Sequence, residues 1–566
     1  MKKIFVVLFF LSFFNALNAQ PPNGCEQKIT SKILIVGDSW GQFMFLYKGY
    51  KEALRQYGFA DITELGGATT IIGAQTGTWT RGLGKKNLRA QLLMHPEIED
   101  VVLMLGGNDF VWDYDYGDPI EVLDNSIART NLGMDTVVNI IREIRPDVRI
   151  ILPSYDYPNF IDPLIDLPLN PYFDSWESFG FPNPYEANTS MQYIEAKREA
   201  WSLTHPNIIF VQNLGLMQYH FGQKDSLPDT SPLGYFYPRL PPYAPKTVPF
   251  PFGNQMYPTP QKAMGLLGFD AYHLGPAGFQ VFAANHIKKV LLDKLRGYPT
   301  ETILSDSLND GWVNSIGEFG TGEIKIGKDR MLKEHKGILS FSTKNIPDDA
   351  IITGISIFIT RKKIEGNNPL KSVFPNNAKI DIMNGPINGL LPEAEDFSVR
   401  MDMEDVGCFV GQANRNNYST RIDLQSDAFS FLNKTGITQF RISYNSTIQN
   451  TASLVKYYNG GAIDEEPLAA HMDIHYELPQ QEKVKQAPNN ENCVVFPLPA
   501  KDEINLRTTK EIEKVSITDV LGRQLSFYGL ETENKKIDLG NFSKGLMVLR
   551  IYYKDATIEE KKIIKS

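Results

Sequence analysis

The hydrophobic positions in the first half of the chain form short, nearly continuous runs separated by helical patterns. Strand-like runs occupy Ile33–Val36, Ile62–Leu65, Val101–Leu105, Val148–Leu152 and Ile208–Val211. Between them apolar residues recur at helical spacing, for example in 135–144 and 193–201, and a helix after Gly278 closes the series. Near-continuous apolar strands that alternate with helices are typical of a parallel sheet covered on both faces. Residues 26–298 are therefore predicted to form an α/β domain.

A different pattern begins near Glu301, where apolar and polar residues alternate in short runs such as 337–342 and 354–359. Alternation with a period of two is typical of half-buried strands. Residues 302–478 are therefore predicted to form a β-sandwich. Residues 479–491, rich in Gln, Lys and Asn, are predicted to be a linker, and 492–566 a small all-β domain.

The α/β pattern is interrupted from about Tyr155 to Phe269 by sequence rich in proline and aromatic residues. Loops of this length are usually functional, and a floppy insertion would leave many aromatic side chains in water. We expect this insertion to form the walls or the lid of a site.

Composition and charge narrow the classes of function. The 566-residue chain has a formal net charge of −9, which argues against a nucleic-acid partner. Lys2 and Lys3, the apolar run 4–14 and the small residues after it match a secretory signal over residues 1–19. No later stretch reaches the roughly 18 apolar residues of a membrane span. The three cysteines are too sparse to form a disulfide framework.

A serine follows the first strand at a position that suits a nucleophile. The sequence Gly37-Asp38-Ser39 comes directly after the strand, and an amphipathic helical pattern runs from Phe43 to Tyr57 after it. Ser39 is therefore predicted to lie on a turn near a helix N-terminus, where backbone N–H groups stabilise negative charge. A serine that only caps the helix is the alternative.

Two further polar groups come at element boundaries of the same domain. Asn108 follows the strand Val101–Leu105 on a Gly-Gly-Asn-Asp turn, where its amide can donate to an oxyanion. Asp270 precedes His273 by three residues, just before the closing helix. A carboxylate in that place can accept from the imidazole Nδ1–H and direct Nε2 towards a serine.

Taken in this order, the blocks resemble the SGNH (GDSL-type) hydrolases over residues 31–298. The resemblance implies a flavodoxin-like parallel sheet with helices on both faces, and hydrolysis of esters without a metal or another cofactor. It implies Ser39 as the nucleophile, His273 as general base and then acid, and Asp270 as the residue that orients the imidazole.

The same resemblance implies an oxyanion hole. Its donors would be the backbone N–H groups of Ser39 and Gly67 together with the Asn108 side chain. Gly66 is the alternative to Gly67, because either glycine of the pair can be aligned with the family's block. Trp40 stands where the family usually has leucine, and this departure is expected to alter the rim of the pocket.

The sequence around Ser39 also fits the Gly-x-Ser-x-Gly elbow of α/β-hydrolases. That fold places several strands before the elbow, whereas fewer than about twenty residues precede Ser39 once the signal is removed. The topology therefore disfavours the elbow. Both assignments predict acyl transfer to water.

Other histidines and carboxylates form weaker candidate sites. The His-x-Asp-x-His triplet at 471–475 puts three possible metal ligands on one face of a predicted strand, although a solvated strand face also explains it. Asp306 and Asp310 lack the regular ligand spacing of a calcium loop. His95 and His205 have no partner that the sequence identifies. No metal site is therefore predicted.

The later domains also resemble known modules. Asp310-Gly311-Trp312-Val313 and the runs 337–342 and 438–442 resemble DNRLRE-type β-sandwiches, which implies an accessory module that either binds a glycan or acts as a spacer. The blocks 496–502, 515–523 and 561–565 resemble the C-terminal sorting domain of Bacteroidetes type IX secretion. This resemblance implies export by the type IX secretion machinery and an extracellular or cell-surface location.

The function predicted from the sequence is a secreted or cell-surface serine ester hydrolase, either an esterase or lipase or a carbohydrate deacetylase, that forms an acyl-enzyme. Its substrate would be a small-molecule or polymeric ester. The alternative is a surface adhesin or carbohydrate-binding protein whose hydrolase domain is vestigial. Presence of the serine, asparagine, aspartate and histidine together favours the enzyme.

Overall fold

The described part of the computed structural model excludes several segments of the chain. It covers residues 28–111, 114–161, 176–177, 179–180, 182–223, 242–265, 268, 270–367, 378–411, 414–444, 451–462, 468–479, 493–497, 499–508, 510–519, 524–528, 535–540, 544–555 and 557–565. The predicted signal, 1–19, and all but the first residue of the predicted linker, 479–491, lie outside the described residues. The chain divides into two compact units, Met1–Glu477 and Leu478–Ser566, which are described separately.

A five-stranded parallel sheet forms the centre of the first half of the N-terminal unit, which confirms the predicted α/β fold. Its strands are β1 (Thr30–Gly37), β2 (Ile62–Leu65), β3 (Asp100–Met104), β4 (Arg149–Pro153) and β5 (Ile208–Val211). They lie in the order β2-β1-β3-β4-β5. The order reverses at β1, which has β2 on one side and β3 on the other. Such a reversal opens a crevice at the carboxyl ends of β1 and β3, and α/β proteins bind ligands in crevices of this kind.

Helices cover both faces of this sheet. They are α1 (Ser39–Leu46), α2 (Gly49–Gln56), α3 (Thr76–Thr80), α4 (Gly82–Met94), α5 (Gly107–Val111), α6 (Ile120–Ile144), α7 (Pro184–Leu203), α8 (Leu216–Phe221), α9 (Pro276–His286) and α10 (Leu292–Leu295), with a 3₁₀ turn at Gln261–Ala263 and a π-helical turn at Ile287–Leu291. Ile33 and Ile35 of β1 enter the core under α1, α2 and α9, whereas Leu34 and Val36 enter the core under α4 and α6. Because both faces of β1 are buried, its sequence is apolar without alternation.

The helical pattern after Ser39 forms two helices rather than one. Helix α1 ends at Leu46, and Lys48 adopts a left-handed conformation with φ 58° before α2 begins at Gly49. A Cβ atom on Gly49 would lie 2.2 Å from the Met44 sulfur and 3.1 Å from the Phe279 carbonyl oxygen. Glycine at 49 therefore allows α2 to pack closely against α1 and α9, and the periodicity alone did not show the break between α1 and α2.

The second half of the N-terminal unit is antiparallel. Its strands are β6 (Glu301–Leu304), β7 (Gly311–Asn314), β8 (Phe319–Thr321), β9 (Ile324–Lys328), β10 (Glu334–Ser342), β11 (Ile351–Gly366), β12 (Ala378–Met383), β13 (Gly407–Val410), β14 (Ser419–Leu424), β15 (Ile437–Tyr444), β16 (Ser453–Tyr457) and β17 (His471–Glu477), with 3₁₀ turns at Ala394–Phe397 and Ser426–Phe431. The long strand β11 pairs with β14 and β17 along its first part and with β16 along its last part. It therefore joins two layers, and apolar residues of both, including Ile357, Phe440 and Ile474, share one core. This arrangement confirms the predicted β-sandwich architecture.

The C-terminal unit is a small all-β structure, as the sequence predicts. Its strands are β18 (Cys493–Phe496), β19 (Glu503–Thr508), β20 (Ile512–Asp519), β21 (Gln524–Tyr528), β22 (Lys535–Asp538), β23 (Gly545–Tyr553) and β24 (Ile558–Lys565). They form two antiparallel sheets, β18-β19-β22 and β21-β20-β23-β24, around a shared apolar core that includes Ile504, Val515 and Leu549.

The cysteines and the helices of the described residues add two observations. Cys408 on β13 is disulfide-bonded, whereas Cys493 on β18 is buried and not disulfide-bonded. In the part of the chain that the structure describes, no helix has the length and apolar character that a membrane crossing requires.

The β-sandwich packs against the amino-terminal ends of the strands of the parallel sheet. Asp61 immediately precedes β2, and its carboxylate accepts two hydrogen bonds from the guanidinium of Arg421 on β14, at 3.0 and 3.3 Å. The same guanidinium lies 5.2 Å from the ring centroid of Phe59. Ser39 follows the carboxyl end of β1, whereas Asp61 precedes the amino-terminal end of β2. The serine and the sandwich therefore lie at opposite ends of the parallel strands.

Loss of this ion pair is expected to destabilise the N-terminal unit without affecting the opposite edge. Arg421→Ala leaves the partly buried Asp61 carboxylate without its partner, so the free energy of unfolding should fall by about 1–3 kcal/mol. Urea unfolding followed by intrinsic fluorescence measures the change. Lys363→Ala removes an exposed cation 3.9 Å from Glu365 and should change stability by less than about 0.5 kcal/mol. Equal stability of the two variants would contradict a structural role for the contact.

Candidate active site

Ser39 is the first residue of α1 and lies at the carboxyl edge of β1. Asp38 caps the helix, because its Oδ1 accepts the Trp40 N–H at 2.9 Å. The Ser39 N–H makes no hydrogen bond with the described residues, so it is available at the positive end of the helix. The serine is mostly buried, with 6% of its surface exposed.

The structure brings His273 and Asp270 to this serine. His273 Nε2 lies 2.7 Å from Ser39 Oγ, and Nδ1 lies 2.9 Å from Asp270 Oδ2. Asp270 Oδ1 accepts the backbone N–H groups of Tyr272 and His273 at 2.8 and 2.9 Å. The carboxylate is therefore fixed on both sides, and the imidazole is held with Nε2 directed at the hydroxyl.

The Asp270 carboxyl is stabilised as an anion. Burial opposes its ionisation, but the hydrogen bond and charge interaction with His273 and the two backbone N–H donors outweigh that cost, so the pKa of Asp270 falls below its ordinary value. An ionised Asp270 can stabilise an imidazolium at His273 throughout the neutral pH range.

Asn108 lies in the single turn of α5, shortly after the carboxyl end of β3. Its side-chain amide donates one hydrogen bond to the Ala74 carbonyl oxygen at 3.0 Å, which fixes the orientation of the amide group. A primary amide has two N–H donors. The second hydrogen has no acceptor among the described residues, and Asn108 lines the same cavity as Ser39.

Gly73 lines the same cavity as Ser39 and Asn108, whereas Gly66 and Gly67 are not among the described residues of its wall. Gly66 and Gly67 pack against the ring of Phe45. Further along the loop, the Ala74 N–H donates to the Ile71 carbonyl, and the resulting turn places Gly73 at φ 75° beside the cavity. The Gly73 N–H makes no hydrogen bond with the described residues.

The loop after β2 places Gly73 beside the cavity because residues 69–71 first pair with the end of β1. The Gly37 N–H donates to the Thr69 carbonyl, and the Ile71 N–H donates to the Gly37 carbonyl, so the chain after β2 runs beside the end of β1. The family resemblance aligns with the glycine pair Gly66-Gly67, which comes first after β2. A local feature of the sequence also marks Gly73: it is a single glycine that follows Ile71 and Ile72 and comes three residues before α3 begins.

A cavity of about 410 Å³ opens beside Ser39 and His273. Its described wall is mainly apolar and aromatic; it includes Trp40, Ile72, Phe110, Tyr114, Tyr116, Tyr155, Pro158, Phe160, Phe179, Met191, Ile194 and Tyr272. The predicted insertion, 155–269, supplies several of these residues, from Tyr155 to Ile194. The aromatic residues between α5 and α6 were not foreseen, because that stretch looked like an ordinary turn.

The charged groups of the cavity wall are held by internal hydrogen bonds. Among the described residues of the wall, Asp38 and Asp156 carry carboxylates, and none is lysine or arginine. Asp156 accepts the N–H groups of Tyr157, Gly215 and Met217 at 2.7–2.8 Å. Burial raises the pKa of Asp156 to about 6. The described part of the wall therefore offers no lysine or arginine to an anionic ligand.

The other polar candidates have structural partners. Asp473 of the 471–475 triplet pairs with Arg296 and accepts from Thr302, so it is committed to a salt bridge. Asp310 is fully buried and accepts hydrogen bonds from Ser305 Oγ and two backbone N–H groups. His205 lies 2.9 Å from Asp135. Within the described residues, no group of three or more His, Cys, Asp or Glu side chains could hold a metal ion.

Comparison with known families identifies the C-terminal region. Residues 494–566 match the secretion system C-terminal sorting domain. This match confirms the predicted type IX sorting domain and the predicted location, secreted or attached to the cell surface. The comparison with curated proteins finds no match.

Several solved structures resemble part of the chain. Est24, a carbohydrate acetylesterase from Sinorhizobium meliloti, is 12% identical; the match covers 46% of this chain and 99% of Est24, with a TM-score of 0.27. A carbohydrate esterase family 3 protein from Talaromyces cellulolyticus is 10% identical; the match covers 46% of this chain and 97% of that protein, with a TM-score of 0.26. The aryl esterase of M. smegmatis is 14% identical; the match covers 46% of this chain and 100% of that protein, with a TM-score of 0.26. At these identities and TM-scores the likeness carries no information on the activity of this chain.

Proposed function

We propose that the protein is a secreted or cell-surface serine ester hydrolase. The observation that carries the proposal is the hydrogen-bonded chain from Ser39 Oγ through His273 to Asp270, with distances of 2.7 and 2.9 Å. A nucleophile, a base within hydrogen-bond reach and a group that orients the base are the parts that acyl transfer requires. The resemblance to SGNH hydrolases and the sorting domain support the same conclusion.

Ser39 Oγ attacks the carbonyl carbon of the ester while its proton moves to His273 Nε2. The new C–O bond produces a tetrahedral oxyanion, and its collapse breaks the bond to the alcohol oxygen, which takes the proton from Nε2. Water then attacks the acyl-enzyme, with His273 again accepting a proton. The carboxylic acid leaves, and Ser39 recovers its hydrogen.

The oxyanion would be held by Ser39 N–H, Gly73 N–H and the Asn108 side chain. All three residues line the cavity, and each has an N–H group that is free among the described residues. Preorganised donors stabilise the transition state more than the ground state, because they point to where charge develops. Gly73 therefore takes the role that the sequence resemblance gave to Gly67.

The substrate would be a neutral ester with a bulky apolar group. The cavity of about 410 Å³ lies in the range of pockets that bind small organic molecules and far exceeds the needs of an acetyl group. Its aromatic wall favours apolar or ring-bearing groups. Without a cation in the described wall, esters that carry a carboxylate or phosphate beside the reacting bond would bind poorly.

Removal of the nucleophile or the base should abolish ester hydrolysis. Ser39→Ala and His273→Ala are each expected to lower kcat for p-nitrophenyl butyrate by at least ~10³-fold, because the two groups act as a unit. His205→Ala removes another histidine paired with an aspartate in the same domain and should retain kcat within about threefold. Hydrolysis that survives Ser39→Ala would refute the proposed function.

Substitution of three glycines should identify the backbone donor. Gly73→Ala is expected to lower kcat about 10–100-fold, because alanine is strained at φ 75° and its relaxation moves the N–H group. Gly67→Ala should leave kcat within about threefold. Gly82→Ala is the matched strain control, since Gly82 has φ 58° and no atom within 4 Å of the added Cβ. A larger loss in Gly67→Ala than in Gly73→Ala would assign the donor to Gly67.

Filling the cavity should separate bulky from small substrates. Met191→Trp is expected to lower kcat/KM for p-nitrophenyl octanoate at least 10-fold, while the value for p-nitrophenyl acetate stays within about threefold. The control is Leu203→Trp, on the same helix but 82% exposed, which should affect neither substrate. Equal losses on both esters in Met191→Trp would show that the cavity does not hold the bulky group.

A further inference from the structure

Tyr155 joins the two turns that carry the candidate catalytic groups. It follows β4 and is almost fully buried. Its hydroxyl donates to Asp38 Oδ2 at 2.7 Å and accepts the Gly107 N–H at 3.0 Å. Asp38 directly precedes Ser39, and Gly107 directly precedes Asn108. One phenol oxygen therefore connects the nucleophile turn to the turn of the oxyanion amide.

The Asp38 carboxylate completes the connection on the serine side. Its Oδ1 accepts the Trp40 N–H, and its Oδ2 accepts the phenol hydrogen. The Asp38 N–H also donates to the Met104 carbonyl at 2.9 Å, so the two turns are already close at the backbone. Through these bonds, the helix start that holds Ser39 cannot shift relative to Gly107 without breaking a buried hydrogen bond.

Tyr155 itself is held from three directions. Its backbone N–H donates to Glu195 Oε1 at 3.0 Å, and Arg198, paired with Glu195 at 2.8 Å, places its guanidinium 5.0 Å from the ring centroid. The ring of Trp40 meets the phenol ring edge-on at 5.1 Å. A second bond from Arg198 to the Leu105 carbonyl anchors the guanidinium to the end of β3. The hydroxyl is therefore a fixed point and not a mobile surface group.

We propose that Tyr155 is a positioning residue of the proposed esterase, whose hydroxyl sets the spacing between the Ser39 nucleophile and the Asn108 oxyanion donor. The inference rests on the proposed function. Tyr155 acts through Asp38 and Gly107, because its hydroxyl bonds to these two residues and, among the described residues, not to Ser39 or His273. Catalytic groups must be held within fractions of an ångström, and a displacement of about 1 Å can cost on the order of 10²-fold in rate.

The ionisation of Asp38 also supports a positioning role for Tyr155. Burial raises the pKa of Asp38 to about 6, and the hydrogen bonds from Tyr155 and Trp40 oppose that rise. The titratable or charged groups that face Asp38 are Tyr155, His273 and Arg198. The Tyr155 hydroxyl thus favours the ionised carboxylate, which accepts both of its hydrogen bonds at neutral pH.

The test compares two tyrosines that differ in their connection to the site. Tyr155→Phe removes only the bridging hydroxyl. Tyr157→Phe removes another buried hydroxyl, which donates to the Phe252 carbonyl and accepts from Gln192, both at 2.6 Å. In the full chain with p-nitrophenyl butyrate, Tyr155→Phe should lower kcat about 10–100-fold with KM within about threefold, whereas Tyr157→Phe should keep both within threefold. Melting temperatures of both variants control for general destabilisation.

A double-mutant cycle shows whether Tyr155 acts through Asp38. Asp38→Asn should lower kcat to a similar extent, and Asp38→Asn combined with Tyr155→Phe should lose no more than about threefold beyond the larger single loss. If Tyr155→Phe does not fold, Asp38→Asn alone tests the same contact from its other end and should show the same loss of kcat at nearly constant KM.

The outcomes separate this inference from the proposed function. Ester hydrolysis that requires Ser39 but keeps its kcat in Tyr155→Phe, or in Asp38→Asn where only that variant folds, would overturn the positioning role alone. Equal losses in Tyr155→Phe and Tyr157→Phe, or multiplicative losses in the cycle, would also overturn it. Hydrolysis independent of Ser39 would instead refute the esterase.

Discussion

The parallel pairing of β1 with β3 is the constraint on which the rest of the site depends. Gly37, the last residue of β1, pairs with Met104, and a Cβ atom on Gly37 would lie only 2.1 Å from the Met104 carbonyl oxygen. This approach requires glycine. Both strands end at the same edge, and the strand order reverses at β1, so Ser39 and Asn108 emerge side by side at the mouth of a crevice.

Two carboxylates beside the serine behave differently because their surroundings differ. Asp38 is enclosed, and burial raises its pKa to about 6, although Tyr155 and Trp40 donate to it. Burial also opposes ionisation of Asp270, but His273 and two backbone N–H donors outweigh it, so the pKa of Asp270 is lowered. The first carboxylate therefore bonds to Trp40 and Tyr155, and the second is held as an anion beside the imidazole.

The β-sandwich and the described cavity wall lie at opposite ends of the parallel strands. The β-sandwich contacts Asp61 and Phe59 at the amino-terminal edge of the parallel sheet, away from Ser39. Aromatic residues after β4 and between α5 and α6 form the described wall at the other edge. No described residue of the cavity wall comes from the sandwich. The sorting domain, 494–566, directs the protein out of the cell.

The sequence by itself determined the parallel sheet, the antiparallel layers and the sorting domain, because burial patterns and family blocks are properties of local sequence. It also pointed to Ser39, Asn108, Asp270 and His273, since each stands where a strand ends or a helix begins, and the structure brings these four together. Only the tertiary structure placed Gly73, and not the glycine pair at 66–67, in the described cavity wall and showed the bridge made by Tyr155. Those two features depend on the path of a loop and on contacts between distant turns, which no local pattern encodes.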